Sequence, residues 1–186
     1  AQIHNPVDLE SAERSRARMT FDEAFLLQML LLERRAELRA LKTTARCATS
    51  TGILTEFDAG LPWELTPGQV AISQEIERDL AAAHPMHRLL QGEVGSGKTV
   101  VALRAMLAVV ESGGQAALLA PTEVLAAQHL RTIEKLLGPL AQGGRLGASE
   151  NATQVTLLTG SQSVASRKEA LVLAASGDAG IVIGTH

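Results

Sequence analysis

One octapeptide constrains this chain more than any other feature: Gly92-Glu93-Val94-Gly95-Ser96-Gly97-Lys98-Thr99 matches the pattern G-x-x-x-x-G-K-[ST] without a gap. A phosphate cradle needs those residue types. Glycines let the backbone curl until several N–H groups converge on phosphate oxygens, and a helix opening behind the loop aims its positive end at the same anion. Lys98 is placed to reach the β- and γ-phosphates of a nucleotide, and the Thr99 hydroxyl to take one position on Mg²⁺. The flanks fit, with the strand-like run His87–Gln91 before the loop and the helix-like Val100-Val101-Ala102-Leu103 after it. A Gly/Ser turn ahead of a helix can be a mere flexible connection. A connection does not require Gly, Lys and Thr together, so the nucleotide reading is the stronger one.

The rest of the composition excludes several classes. With 186 residues, 46% hydrophobic and 20% charged, the chain suits one core and a small appendage. Apolar stretches such as Phe25 to Leu32 are broken by Gln28 and fall short of the ~18 residues a membrane span requires, so no membrane partner is expected. Nothing at the amino end reads as a secretory leader, and the single cysteine, Cys47, suits a reducing cytoplasm. The net charge of −3 gives no basic field. Any nucleic acid bound here is therefore gripped locally, by backbone N–H groups and helix ends. Aromatic residues make up 2% of the chain, too few for a base-stacking platform.

Along the chain, Pro6–Met19 reads as a polar helix, and Thr20-Phe21-Asp22-Glu23 as a capping box opening a second helix that runs to about Lys42. Periodicity fails from Thr43 to Gly60, which reads as a linker. We expect a helical segment over 1–56 and a second domain over 57–186. In the latter, Thr66-Pro67-Gly68-Gln69 opens a helix lasting to about Ala83. Strands are predicted at His87–Gln91, Gln115–Ala120, Val155–Thr159 and Gly180–Gly184, separated by helices at Lys98–Val110, Glu123–Leu137 and Ser163–Ala175. Gly113 and Gly177 follow helix ends, where left-handed backbone is wanted. The alternation predicts an α/β fold, a parallel sheet with helices on both faces. Pro121-Thr122, Gly160 and Gly184-Thr185 should share one rim with the phosphate loop. Residues 138–154 read as a mobile surface loop without chemistry.

Four stretches in order carry a resemblance: Leu61–Gln69, the phosphate loop with its lead-in Met86–Gln91, Ala120-Pro121-Thr122-Glu123-Val124-Leu125-Ala126-Ala127-Gln128-His129, and Ile181–His186. Together they resemble the first motor-domain motifs of the superfamily-2 helicases, and most closely those of the RecG family of bacterial DNA helicases. The resemblance implies a P-loop NTPase (RecA-like) fold over 57–186, with residues 1–56 joining a branch-recognising wedge domain to the motor. It implies ATP and Mg²⁺ as cofactors, with Lys98 and Thr99 acting on the phosphates and Gln69 reading the adenine edge. Trp63 would pack beside the base. Gln69 equally completes a capping box with Thr66, and Trp63 equally suits a core. Pro121, Thr122 and Glu123 would contact a DNA backbone from a helix start, with Thr159, Gly160, Ser161, Gly184 and Thr185 in similar roles. An ordinary strand-to-helix turn capped by Thr122 is the alternative. His129 and His186 read as packing.

Hydrolysis also needs carboxylates to hold Mg²⁺ and orient water, and no apolar run here ends in Asp-Glu. A positioned base contributes ~10²–10⁴-fold and an arginine finger ~10³–10⁵-fold. The expectation is a piece of a longer, monomeric, cytoplasmic ATP-driven translocase on branched DNA, binding ATP weakly by itself and not hydrolysing it. Other superfamily-2 motors, of the transcription-repair coupling or primosomal type, share the motif order. A non-catalytic interaction fragment is the rival from another class. A GTPase is disfavoured, because no N-K-x-D guanine reader is present.

Overall fold

A computed structural model describes residues 4–185 of the chain. It divides into two compact units that part between Thr43 and Thr44.

The first unit is a single helix, α1, over Leu9–Ala40. Its start is fixed by Asp8, whose carboxylate accepts the Ser11 N–H at 2.7 Å while the Ser11 hydroxyl accepts the Asp8 N–H at 3.2 Å. The expected break at Thr20 does not occur. The Thr20 hydroxyl donates to the Arg16 carbonyl at 3.1 Å, inside an uninterrupted helix. Nothing between Val7 and Leu41 forces a break, since the stretch contains no Gly or Pro. A capping pattern in mid-helix is only a local option, and helical hydrogen bonding overrides it. Phe21 stacks on Phe25 with ring centroids 5.9 Å apart.

The second unit begins with α2 (Ile53–Gly60), which corrects the expected linker over Thr43–Gly60. Its sequence lacks a capping side chain, so periodicity over eight residues is a weak signal. The missing cap comes from a distant residue. Glu111, the last residue of α4 (Lys98–Glu111), accepts the Leu54 N–H at 3.1 Å and the Thr49 hydroxyl at 2.5 Å, and also the Thr49 N–H. Gly52 leaves room for that carboxylate, which a Cβ at this position would push aside. Ile53, Leu54 and Phe57 are thereby buried in the core with Leu103 and Leu107 of α4. Arg104 of α4 clamps Asp58 of α2 through two bonds of 2.8 and 2.9 Å, and it meets Glu77 of α3 (Pro67–Leu80) at 3.3 Å.

The sheet comprises β1 (Ala116–Leu119), β2 (Gln154–Leu158) and β3 (Ala179–Gly184), all parallel, in the order β1-β3-β2. The β1-to-β2 crossover runs through α5 (Glu123–Leu137) and passes over β3, and α6 (Val164–Ser176) returns from β2 to β3. Right-handed crossovers in opposite directions place the two helices on opposite faces. Ile181 and Ile183 of β3 are fully buried, in one core cluster with residues of α2, α4 and α5. Gly113 and Gly177 have φ of 76° and 86°, as the helix ends required.

The strand expected at His87–Gln91 does not form among the described residues. A strand exists only as a ladder with a neighbour, and β1 pairs with β3 alone. Leu89 is 89% exposed, and Arg88 is held instead by Glu75 at 2.8 Å and Asp79 at 2.5 Å, both on α3. Residues 138–154 are better held than a mobile loop. A 3₁₀ turn over Gly138–Ala141 buries Leu140, the Thr153 N–H donates to the Leu140 carbonyl at 2.9 Å, and Asn151 and Ser149 both donate to Glu56 of α2.

Candidate nucleotide and nucleic-acid site

Gly95 and Gly97 carry φ of 84° and 82°, left-handed values that a side chain resists, and they turn the loop back on itself. The Ser96 N–H donates to the Glu93 carbonyl at 3.2 Å, and Gly97 caps α4 without a side chain. The Lys98 and Thr99 N–H groups, at the hollow of the loop, therefore stay without intrahelical acceptors, whereas the Val100 N–H already donates to the Gly97 carbonyl at 3.0 Å. Lys98 folds over that hollow, its Nζ donating to the carbonyls of Gly92 at 2.8 Å and Glu93 at 2.7 Å. A polyphosphate oxygen offers the ammonium a stronger, charge-assisted acceptor than those carbonyls. Thr99 follows on the first turn of α4, half-buried, while Val94 at the loop tip is fully exposed.

Gln69 does two things at once. Its Oε1 accepts the Thr66 N–H at 2.9 Å, and the Thr66 hydroxyl accepts the Gln69 N–H at 3.3 Å, closing the predicted capping box. Its Nε2 reaches across to the Ser96 carbonyl at 3.0 Å. Cap and loop contact coexist, and a Cβ at Gly97 would collide with that amide. Trp63 lies elsewhere. Half-exposed, it lines an apolar cavity of about 910 Å³ with Phe57, Pro62, Arg131, Lys135 and Leu136, to which no loop residue contributes.

The other candidates gather at the carboxyl ends of the strands. Pro121, Thr122 and Glu123 follow β1, where Thr122 caps α5 by accepting the Leu125 N–H at 3.3 Å. Gly160 follows β2, and Gly184 ends β3 with Thr185 beyond it. The Ala120 N–H donates to the Gly184 carbonyl at 2.8 Å, tying two of the turns together. Gly184 also has a packing reason to lack a side chain, since a Cβ would strike the Leu158 carbonyl. α4 leads into β1 through a short turn, so its loop end lies towards the same rim. Among the described residues no cluster of three His, Cys, Asp or Glu side chains is placed to hold a metal. Half-buried His129 makes none of these contacts, and His186 lies outside the described residues.

One residue of this rim escaped the sequence reading. Gln162 braces the turn after β2, its Oε1 accepting the Thr159 N–H at 2.9 Å and its Nε2 donating to the Leu157 carbonyl at 3.0 Å. The turn composition Thr-Gly-Ser-Gln-Ser was the available signal. The Ser161 N–H donates to Glu123 Oε1 at 2.9 Å. Bonds from Ser161, first from its side chain and then from its N–H, hold the Glu123 carboxyl below the ordinary glutamate range despite a small opposing effect of burial.

Residues 66–186 match the DEAD/DEAH box helicase family. The chain belongs to that family. Its sheet is accordingly the P-loop, RecA-like sheet of these helicases. Among curated relatives of this chain, ATP-dependent DNA helicase RecG of Mycobacterium tuberculosis (strain H37Rv) is 52% identical over 184 residues, spanning 99% of the chain and 25% of the relative. RecG of Synechocystis is 40% identical over 186 residues, covering 100% of the chain and 21% of the relative. A solved structure of RecG bound to a three-way DNA junction superposes with a TM-score of 0.80 at 33% identity, over 95% of the chain and 23% of that structure. The resemblance to RecG read from the motif wording is borne out. The chain spans about a quarter of the length of the curated relatives it matches.

Proposed function

We propose that this chain is the ATP-binding portion of an ATP-driven helicase that remodels branched DNA in recombination and repair. The observation that carries the reading is the loop itself. Left-handed Gly95 and Gly97, the free Lys98 and Thr99 N–H groups at the start of α4 and the Lys98 ammonium all belong to one short loop and the turn that follows it. Gly92, Glu93, Val94, Gly95, Ser96 and Gly97 cradle the phosphates of ATP, Lys98 neutralises their charge, and the Thr99 hydroxyl ligates Mg²⁺. One protein ligand suits that ion, which keeps most of its waters and takes phosphate oxygens. Gln69, already fixed against the loop, reads the adenine edge. A branched-DNA substrate is supported by relatives named RecG and by the neighbour whose structure holds a three-way junction.

On the rim, Pro121 opens the turn into α5, and main-chain N–H groups at Thr122-Glu123, Gly160 and Gly184-Thr185 follow the DNA backbone. α1 serves as the connection between wedge and motor. β1, β2 and β3 run on into Ala120, Thr159 and Thr185, so none of them offers a carboxylate to the metal and the attacking water. The 186-residue chain therefore binds ATP without turning it over. Retention of labelled ATP by the chain and by Lys98→Ala decides the loop assignment: binding that falls at least tenfold in the variant supports it, and equal retention removes it.

A further inference from the structure

Of the turns on the rim, the one after β2 is already filled. Glu123 is the first residue of α5, where an acidic side chain ordinarily needs no more explanation than its own helix dipole. Its carboxylate instead reaches across to another turn and accepts the Ser161 N–H at 2.9 Å. Gly160 sits directly beside it, and a Cβ there would stand 3.3 Å from Glu123 Oε1, so glycine keeps the approach open. A main-chain N–H that donates to a carboxylate oxygen in a glycine turn makes the same charge-assisted bond that a phosphate oxygen would make there.

We propose that the Glu123 carboxylate is a built-in stand-in for a phosphate at the Thr159-Gly160-Ser161 turn, which a DNA backbone must displace before it can use the Ser161 N–H. The inference rests on the reading of the rim as a DNA surface and adds a regulation to it. The turn does not depend on Glu123 for its shape, because Gln162 holds it from the other side through the Thr159 N–H and the Leu157 carbonyl. When the carboxylate leaves, the turn persists. The start of α5 differs, since no carboxylate sits on it, its Thr122 cap takes only the Leu125 N–H, and Val124 is 78% exposed. One turn therefore takes a phosphate directly and the other by exchange. An acidic group held at a phosphate position also repels any backbone that approaches before it has moved.

The test uses the full 186-residue chain, Glu123→Ala and Glu123→Gln, with inorganic phosphate followed at the Gly160 and Ser161 amides by ¹⁵N spectra. A labelled three-way junction is followed in parallel by anisotropy. In Glu123→Ala we expect phosphate to move the Ser161 resonance at concentrations that leave wild type unmoved. DNA should bind about fivefold tighter at low salt, the factor corresponding to one unit-charge repulsion at 4–5 Å in water, and the gain should fade as salt screens it. Glu123→Gln, which keeps an acceptor oxygen without the charge, should fall between the two. DNA binding in Glu123→Ala equal to or weaker than wild type would overturn the inference and make Glu123 a brace. If phosphate separates the proteins but none of them retains DNA, the anion stand-in holds and the DNA reading of the rim falls. If DNA is retained and phosphate separates nothing, the stand-in falls alone.

Discussion

Gln69 Nε2 donates to the Ser96 carbonyl at 3.0 Å while the same side chain caps its own helix, so the start of α3 and the tip of the phosphate loop are held by one amide. Gln69→Glu keeps an acceptor for Thr66 and loses the donor to Ser96. Gln69→Ala loses both. We expect the alanine variant to lose about 0.5–1 kcal/mol of stability from the cap and the glutamate variant to lose less, with ATP affinity falling in both. Urea unfolding beside labelled-ATP binding separates the two roles. An alanine variant that binds ATP as wild type does would reduce Gln69 to a helix cap.

Gly97 has φ of 82° and no room for a Cβ against Gln69. Gly97→Ala should cost about 1–3 kcal/mol from forced left-handed backbone alone. It should also abolish ATP retention while leaving far-ultraviolet circular dichroism unchanged. Retained ATP binding would mean that the loop does not need this curvature.

Phe57 is 2% exposed, and it lies in a segment whose sequence reads as linker. Phe57→Ala should destabilise the second unit by about 3–5 kcal/mol, read as a lower urea midpoint. A change under about 0.5 kcal/mol would place α2 outside the cooperative core.

Glu111 ties residues 49–54 to the end of α4. Burial raises its pKa, but bonds from the Thr49 hydroxyl, the Thr49 N–H and the Leu54 N–H outweigh it and leave the carboxyl below the ordinary range. A depressed acid contributes stability that is fully present above its unfolded value, about 4.3 for glutamate, and is lost as pH falls through the lower folded value. Wild type should therefore exceed Glu111→Gln in stability at neutral pH, and the gap should close on acidification below about pH 4.3. Urea midpoints of both proteins across pH 7 to 3 measure it. A gap that stays constant would show that the charge is not what holds α2.

Much of the site was legible because its determinants are local. A left-handed turn wants glycine at the position itself, a cap lies within three residues of what it caps, and a parallel strand buried on both faces is a run of Val, Ile and Leu. The octapeptide, the Thr66–Gln69 box, the Thr122 cap, the helix ends at Gly113 and Gly177, and three of the four predicted strands all follow from such rules. The sequence by itself thus determined the phosphate loop, the alternation of strands and helices, and the rim on which the candidate residues meet.

What the tertiary structure decided are relations between residues far apart in the chain. Glu111 caps a helix that begins 58 residues earlier, Glu123 answers an N–H 38 residues later, and Gln69 reaches a carbonyl 27 residues on. The His87–Gln91 run forms no ladder, since pairing needs a neighbour that no local pattern names. An acceptor can be satisfied by any donor the fold brings within hydrogen-bond reach, so the sequence carries the demand and only the assembled chain determines which group meets it.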